Sequence, residues 1–301
     1  MSSTARTGRV ATGDGAAIAF ALHGSPSASP PVIVVPDLLQ VKEDLAATAA
    51  ALAGDRLVCA VDLRGMGESA QCPPMPPATE PPEITLMQLA TDVFDVVLHV
   101  LAGNPDRPAA GRFVVMGFGL GGLVAQYLAL LMRGRDDLAL DKLVVVASAP
   151  MTPSRGSLVN SAMQILASQK AGMRPAAFGP DKSLANSWVF GNLSPQFSAK
   201  HAELAARLVA DLLAHNRSRN IAEEQVFAMQ GVNLTDQLGL LRVPTLVIHG
   251  SQDTMIDPWY ASMFSEVVGN AKVVLVDGAG HWVHIMEPDR VLCELQDFLA
   301  N

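Results

Sequence analysis

A glycine-rich turn, an acidic residue and a histidine follow one another along the chain in an order that suits acid–base chemistry. The turn is the segment Gly117-Phe118-Gly119-Leu120-Gly121, between an apolar strand pattern and an apolar helical pattern. Asp253 follows a later strand pattern, and His281 follows the last one. A carboxylate that orients an imidazole lets it take a proton from a nucleophile and return it to a leaving group. The sequence therefore predicts that Asp253 and His281 are catalytic.

The centre of the glycine-rich turn lacks the side chain that this chemistry needs. A strand that turns sharply into a helix through small residues is the setting of the nucleophile elbow, G-x-S-x-G. The glycines are required because the central residue has a strained backbone and its neighbours pack closely. Gly119 stands where the pattern has serine, and glycine has no group that can attack a substrate. Position 119 is therefore interpreted as a vacated nucleophile position.

Short β-branched runs alternate with longer helical patterns, which predicts a mostly parallel sheet covered by helices. The predicted strands are 32–35, 57–63, 113–116, 143–147, 245–249 and 272–276. The predicted helices are 85–101, 123–131, 199–214, 221–230 and 288–299. Thr85 and Gln88 have the spacing of a capping box at the start of the first of these helices.

Residues 151–232 lack strand patterns, and their amphipathic helical patterns predict a helical cap, or lid, inserted into an α/β core of 1–150 and 233–301. The alternative is that these are ordinary surface helices. We expect the cap's large apolar residues to favour an apolar substrate; they are Met163, Met173, Trp188, Phe190, Phe197 and Phe227. Two of them, Trp188 and Phe190, either line the substrate pocket or anchor the cap.

Composition excludes several classes of protein. The 301 residues are 50% hydrophobic and 17% charged, with a net charge of −8, which argues against nucleic acid or an anionic membrane as partner. No apolar run reaches the roughly 20 residues of a spanning helix. The three cysteines (Cys59, Cys72 and Cys293) are too scattered for a disulfide framework or a zinc site. We expect a cytoplasmic protein with reduced thiols, no metal and no cofactor.

Four motifs in order resemble those of the alpha/beta-hydrolase superfamily, in particular its lid-bearing members. They are the turn 62–69 (DLRGMGES), the glycine-rich elbow, the acid loop 243–253, and Gly280-His281. The resemblance covers nearly the whole chain. It implies an alpha/beta-hydrolase fold and a Ser-His-Asp arrangement in which position 119 is the nucleophile site, Asp253 the acid and His281 the base.

The resemblance also implies an oxyanion hole made by the backbone N–H groups of Leu38 and Leu120. Pro36-Asp37 stands where many members carry His-Gly. Asp37 is interpreted either as a cap of the turn after the strand or as a substrate contact. Phe118 and Leu120, on either side of Gly119, are expected to line the active-site cavity.

Three explanations of Gly119 remain open at this point. In the first, the chain is an inactivated variant of a serine hydrolase. In the second, Gly119 is natural, and His281 with Asp253 acts as a general base in hydrolysis, a lyase reaction or an isomerisation. In the third, the protein is a non-catalytic binder of small molecules. The function expected is hydrolysis of a carboxylic ester or lactone with an apolar moiety. A histidine base predicts an activity that rises with pH near neutrality.

Overall fold

The computed structural model describes residues 5–71, 84–103, 111–153 and 182–301. The strands in these ranges form one eight-stranded sheet of order β1-β2-β4-β3-β5-β6-β7-β8. The strands are β1 Arg6–Ala11, β2 Ala17–His23, β3 Val32–Val35, β4 Val58–Val61, β5 Gly111–Phe118, β6 Leu138–Val146, β7 Thr245–Gly250 and β8 Ala271–Val276. Strands β3 to β8 run parallel to one another, whereas β1 and β2 pair antiparallel. The predicted fold, a mostly parallel sheet flanked by helices, is confirmed.

The sequence analysis did not predict the hairpin of β1 and β2. In β1, whose sequence is RTGRVA, every residue is exposed or half-buried, so it carries no apolar run of the kind that marked the central strands. Strand β3 is the opposite case, because all four of its residues are buried. A strand covered by helices on both faces shows a continuous apolar run, which makes it easier to recognise.

Each of the five predicted helices has a counterpart in the described ranges, within a few residues of its predicted bounds, whereas the other helices there were not predicted. They are α1 Ala46–Leu52, α2 Leu86–Ala102, α3 Leu120–Leu131, α4 Lys182–Asn192, α5 Pro195–Lys200, α6 Ala202–Ala214, α7 Arg219–Ala228, α8 Thr235–Leu238, α9 Trp259–Val267, α10 Val283–Met286 and α11 Pro288–Ala300. The predicted capping box of α2 is only half formed. Thr85 accepts a hydrogen bond from the Gln88 N–H at 3.0 Å, but the Gln88 side chain donates to Asp92 instead of returning to Thr85.

The predicted cap is described at 151–153 and 182–232, where α4 to α7 are found. Residues 154–181, with Met163 and Met173, lie outside the described residues, as do Cys72 and the proline-rich stretch 73–82. The boundaries 151–232 therefore stay a prediction. Arg217, between α6 and α7, is buried and pairs with Asp44 at 2.8 Å, which ties this helical region to the loop after β3.

Within the described part of the chain, no helix is both long enough and apolar enough to cross a membrane. Likewise, no group of three or more histidine, cysteine, aspartate or glutamate side chains in these ranges has the arrangement of a metal site.

Candidate active site

The candidate site residues follow the carboxyl ends of four strands that share one edge of the sheet. Asp37 follows β3, Gly119 follows β5, Asp253 follows β7 and His281 follows β8. Because β3 pairs with β5 and β7 pairs with β8, all in parallel, these four loops open on the same side. Ligands of open α/β sheets bind outside this edge.

Gly119 has the backbone conformation of a strained turn, with φ 47° and ψ −113°. Its N–H donates to Val146 O on the neighbouring strand at 2.9 Å, and α3 begins at the next residue. A Cβ at Gly121 would overlap the backbone of Val35 and Pro36, so this glycine allows α3 to approach the end of β3. The sequence pattern G-x-G-x-G thus has the steric basis expected of an elbow.

The Asp37 side chain occupies the space in front of Gly119. Its Oδ1 accepts hydrogen bonds from the N–H of Leu38 at 2.7 Å and from the N–H of Leu120 at 2.8 Å. These are the two donors expected to form the oxyanion hole, and they do converge on one point. That point is taken by an oxygen of the protein itself.

A side chain at position 119 would collide with Asp37. An ideal Cβ on Gly119 overlaps both Oδ1 and Cγ of Asp37. The sequence suggested a turn that is ordinary apart from one missing serine, and the structure contradicts this interpretation. The position is vacated, but its space is filled by the carboxylate of Asp37, from the loop after β3.

The loop that carries Asp37 is fixed by several buried contacts. The Gln40 side-chain oxygen accepts a hydrogen bond from the Asp37 N–H at 3.2 Å, and the Gln40 N–H donates to Asp37 O at 3.0 Å. Leu39 has a φ of 62°, a conformation that non-glycine residues rarely adopt, so the surrounding structure must hold the strained backbone in place. Arg217 does so in part, because its guanidinium donates to Leu39 O at 2.7 Å.

The turn after β4 also supports the loop that carries Asp37. Asp62 is buried and accepts hydrogen bonds from the Lys42 N–H at 2.8 Å and from Lys42 Nζ at 2.9 Å. Gly67 has a positive φ, and a Cβ there would overlap the Asp62 carboxylate. Arg64 pairs with Asp92 on α2. Asp62 and Arg64 thus hold these loops in shape.

His281 lies between two carboxylates. Its Nδ1 is 2.7 Å from Asp253 Oδ2, and its Nε2 is 3.0 Å from Asp37 Oδ2. Each ring nitrogen can donate only if it carries a proton, so two carboxylate partners favour the doubly protonated imidazolium. Burial opposes that charge, but the charge and hydrogen bond of Asp253 and those of Asp37 outweigh burial and raise the pKa of His281 to about 10.

The raised pKa bears on the expected pH dependence, in which activity rises with pH near neutrality. A histidine base with an ordinary pKa would lose its proton near neutrality, whereas His281 in this arrangement stays charged from pH 5 to 8. Asp253 contributes most to the raised pKa, and Asp37 adds to it through a contact with Nε2 that could not be foreseen from the sequence. In this state His281 is an acid, and it becomes a base only after it has delivered a proton.

Asp253 is well placed to orient His281. Its Oδ1 accepts hydrogen bonds from the N–H groups of Met255 at 2.8 Å and Ile256 at 3.0 Å. Its Oδ2 faces His281 and is also 2.9 Å from His249 Nε2. Burial alone would raise the pKa of Asp253, but the charge of His281 and the hydrogen bonds from both histidines hold it well below its usual range.

His249, near the end of β7, is a second histidine partner of Asp253. Its Nε2 lies 2.9 Å from Ile256 O as well as from Asp253. Both neighbours are acceptors, so this nitrogen carries the proton. His249 thus holds the acid loop in place. In the sequence, the signal for this role is the position of His249 at the end of β7.

The aromatic residues expected at the site fall into different environments. Phe118 is buried, and its ring centroid is 4.5 Å from that of His284. Burial and the charge of His281 lower the pKa of His284 to about 3, so its ring is neutral. Trp188 is buried, which suits an anchor of the helical region, whereas Phe190 leaves 49% of its surface exposed.

A cavity of about 630 Å³ lies beside the site. It opens between the loop after β3 and helix α6, and among its lining residues are Gln40, Leu204, Leu208, Leu212, Trp282 and His284. Asp37 and His281 do not line it, but Gln40 and Trp282 are their direct neighbours. Trp188 and Phe190, for which lining the pocket was one of two alternatives, do not line this cavity.

Comparison with known proteins agrees with this architecture. A family model described as "Alpha/beta hydrolase family" matches residues 20–294. The chain is 27% identical over 251 residues to "Putative carbamate hydrolase RutD" of Pseudomonas savastanoi pv. phaseolicola, covering 83% of this chain and 86% of that protein. It is 26% identical over 252 residues to the pimeloyl-[acyl-carrier protein] methyl ester esterase of Aeromonas hydrophila, covering 83% and 87%.

Among solved structures, the enol-lactonase of Burkholderia xenovorans LB400 superposes with a TM-score of 0.76 at 20% identity, covering 98% of this chain and 100% of that one. At this identity the likeness concerns the fold. Because the family model spans most of the chain and the sheet has the corresponding topology, the chain belongs to the alpha/beta hydrolase family.

Proposed function

We propose that the protein hydrolyses a carboxylic ester or lactone with an apolar moiety, and that it does so without a serine. The observation that carries this proposal is the position of Asp37. Its carboxylate stands where a residue-119 side chain would stand, in contact with His281 and with both expected oxyanion donors. Asp37, His281 and Asp253 then form the reaction centre around Gly119.

Of the three explanations of Gly119, the filled space favours a natural glycine. Removing a serine by substitution creates a hole, whereas here a side chain from another strand fits the space that only glycine leaves free. An inactivated serine hydrolase would also need Asp37 to lie elsewhere before the substitution. The geometry therefore supports a serine-less enzyme more than a disabled one.

A non-catalytic binder is the second candidate, and the cavity of about 630 Å³ is the observation that favours it. Binding alone, however, does not call for a histidine held between two buried carboxylates. Burying charged groups is costly unless they are paired, and perturbed charges in a cleft are typical of catalytic centres. We therefore place hydrolysis first.

The ester or lactone class is supported by the relatives and by the cavity wall. One relative is named as a methyl ester esterase, and a protein of the same fold is named as an enol-lactonase. Leu204, Leu208, Leu212 and Trp282 give the cavity an apolar wall. His281, as an imidazolium, can give a proton to the alkoxide that leaves when an ester or lactone is cleaved.

The test is an assay of the unchanged chain against a panel of apolar esters and lactones. We expect turnover that falls at least 100-fold in His281→Ala, since general acid–base groups typically contribute about 10²–10⁴-fold. His99→Ala, which removes an exposed histidine on α2, is the matched control and should leave the rate unchanged. Tight binding of a panel member without turnover, insensitive to His281→Ala, would establish the binder instead.

A further inference from the structure

The two oxygens of Asp37 have different surroundings. Oδ1 accepts both backbone hydrogen bonds, from Leu38 and Leu120. Oδ2 faces His281 Nε2 at 3.0 Å, and among the described residues it has no second hydrogen-bond partner. One oxygen is therefore held as a carbonyl-like acceptor, while the other keeps a free lone pair next to an acid.

This division bears on how a serine-less site could work. If Asp37 or His281 only activated water, the substrate carbonyl would need the N–H groups of Leu38 and Leu120, and Asp37 already holds both. Removing one such donor typically slows the reaction by about 10²–10³-fold. A mechanism in which Asp37 itself becomes the group held in the hole avoids this conflict in its hydrolytic step, where the charge develops on Asp37 Oδ1.

We propose that Asp37 is the catalytic nucleophile and forms a covalent intermediate through Oδ2. This proposal rests on the proposed function and specifies how the reaction proceeds. Carboxylates are known covalent nucleophiles in enzymes. In this chain the nucleophile has moved from the turn after β5 to the loop after β3, and Gly119 provides the space that its carboxylate needs.

In the first step Asp37 Oδ2 bonds to the acyl carbon of the ester or lactone. The bond from that carbon to the leaving oxygen breaks, and the leaving oxygen takes the proton from His281 Nε2. The products are a mixed anhydride on Asp37, an alcohol group and a neutral imidazole. Because His281 begins as the cation, the leaving group must be one that accepts a proton, so an alkoxide fits.

In the second step the neutral His281 takes a proton from water, and the water oxygen bonds to Asp37 Cγ. The negative charge that develops on Oδ1 is stabilised by the N–H groups that already hold it at 2.7 and 2.8 Å. The bond between Cγ and Oδ2 breaks, and the acid leaves with Oδ2. His281 is again charged, Asp37 is again a carboxylate with one oxygen from water, and one proton passes to solvent.

The origin of the oxygen atoms tests this mechanism. A substrate identified in the ester and lactone panel is converted in H2¹⁸O with the enzyme in molar excess, so that each molecule turns over once. We expect an unlabelled acid product and an Asp37-containing peptide that gains 2 Da by mass spectrometry. Enzyme incubated without substrate in the same water is the control and should gain nothing.

The outcomes separate the two proposals. Turnover with the label in the acid product and none in Asp37 overturns the proposed path, in which water attacks Cγ of Asp37, and leaves the hydrolase. No turnover of any ester or lactone overturns both. In addition, Asp37→Asn should reduce the rate at least 100-fold, whereas Asp236→Asn, which removes an exposed carboxylate on α8, should not. The labelling experiment uses the unchanged protein, so it decides the question even if Asp37→Asn fails to fold.

Discussion

At position 119 a glycine stands beside the carboxylate of Asp37, and the two positions are sterically coupled. A serine Cβ at 119 would overlap Asp37 Oδ1, while Asp37→Gly alone would leave two N–H donors facing an empty space. Gly119 and Asp37 are thus complementary in shape. Comparing position 119 alone with the elbow pattern does not reveal this.

The first prediction at this scale concerns paired substitutions. Gly119→Ser alone should lower the free energy of unfolding by about 1–3 kcal/mol, the usual cost of overpacking, because Asp37 must move. Adding Asp37→Gly should restore part of that loss and create a Ser-His-Asp arrangement. Urea denaturation measures the first effect, and labelling of the introduced serine by a serine-reactive organophosphorus probe measures the second. Equal stability of both variants would contradict the steric coupling.

A second prediction at the residue scale follows from the pKa of His281, raised from 6.5 to about 10. A group whose pKa is higher in the folded than in the unfolded state stabilises the fold fully below its unfolded pKa, and this contribution is lost as the pH rises through the folded pKa. The free energy of unfolding should therefore fall as the pH rises from about 6.5 towards 10.

His281→Gln should lack this part of the pH dependence, so the difference between the two unfolding curves isolates it from other titrating groups. Nitrogen chemical shifts of the His281 ring give an independent measurement. They should show both nitrogens protonated at pH 7. A ring that loses a proton between pH 6 and 7 would show that Asp37 does not hold Nε2 in solution.

At the scale of elements, the loop after β3 is held by a side chain from outside the sheet. Arg217 donates to Leu39 O at 2.7 Å and pairs with Asp44, and it exposes only 1% of its side chain. Helix α6 ends just before it, so the described part of the predicted cap and the loop that carries Asp37 are joined through one buried guanidinium.

The third prediction is that Arg217→Met lowers the free energy of unfolding by about 3 kcal/mol, because it leaves Asp44 without its buried partner. It should also reduce activity, since the strained backbone at Leu39 loses its restraint. Chemical denaturation and the panel assay measure the two effects. Arg133→Met, at an exposed arginine just after α3, is the matched control. Losses as small as those of the control would contradict the anchoring role.

At the scale of the whole molecule, the core and the helices of the predicted cap together enclose the cavity of about 630 Å³. Its floor comes from the loop after β3 and the histidine loop, and its wall comes from α6. No single element forms it, so its shape depends on how α6 is placed against the sheet edge.

The fourth prediction places substrate in this cavity. Leu208→Trp fills part of the space and should raise KM for an apolar ester or lactone by about 10-fold or more, the effect of one or a few methylene groups in a hydrophobic pocket. We expect kcat to change less than KM. Ala206→Trp, at an exposed position of the same helix, should leave both unchanged. An unchanged KM in Leu208→Trp would place the substrate elsewhere.

The sequence by itself determined the six parallel strands β3 to β8, five of the described helices and the approach of Gly119, Asp253 and His281 to one edge. These features are local, because a buried parallel strand reads as an apolar run and each site residue follows such a run directly. The antiparallel hairpin of β1 and β2 was missed, since its half-exposed residues show no such pattern.

Only the tertiary structure decided what Asp37 does. Its oxygens meet the N–H of Leu120 and the ring of His281, partners that lie 83 and 244 residues further along the chain. No local pattern records such contacts, because they depend on the pairing of β3 with β5 and on the side-chain rotamer that the loop selects. The result is a carboxylate in the expected oxyanion site and a raised pKa of His281, where the sequence showed only a missing serine.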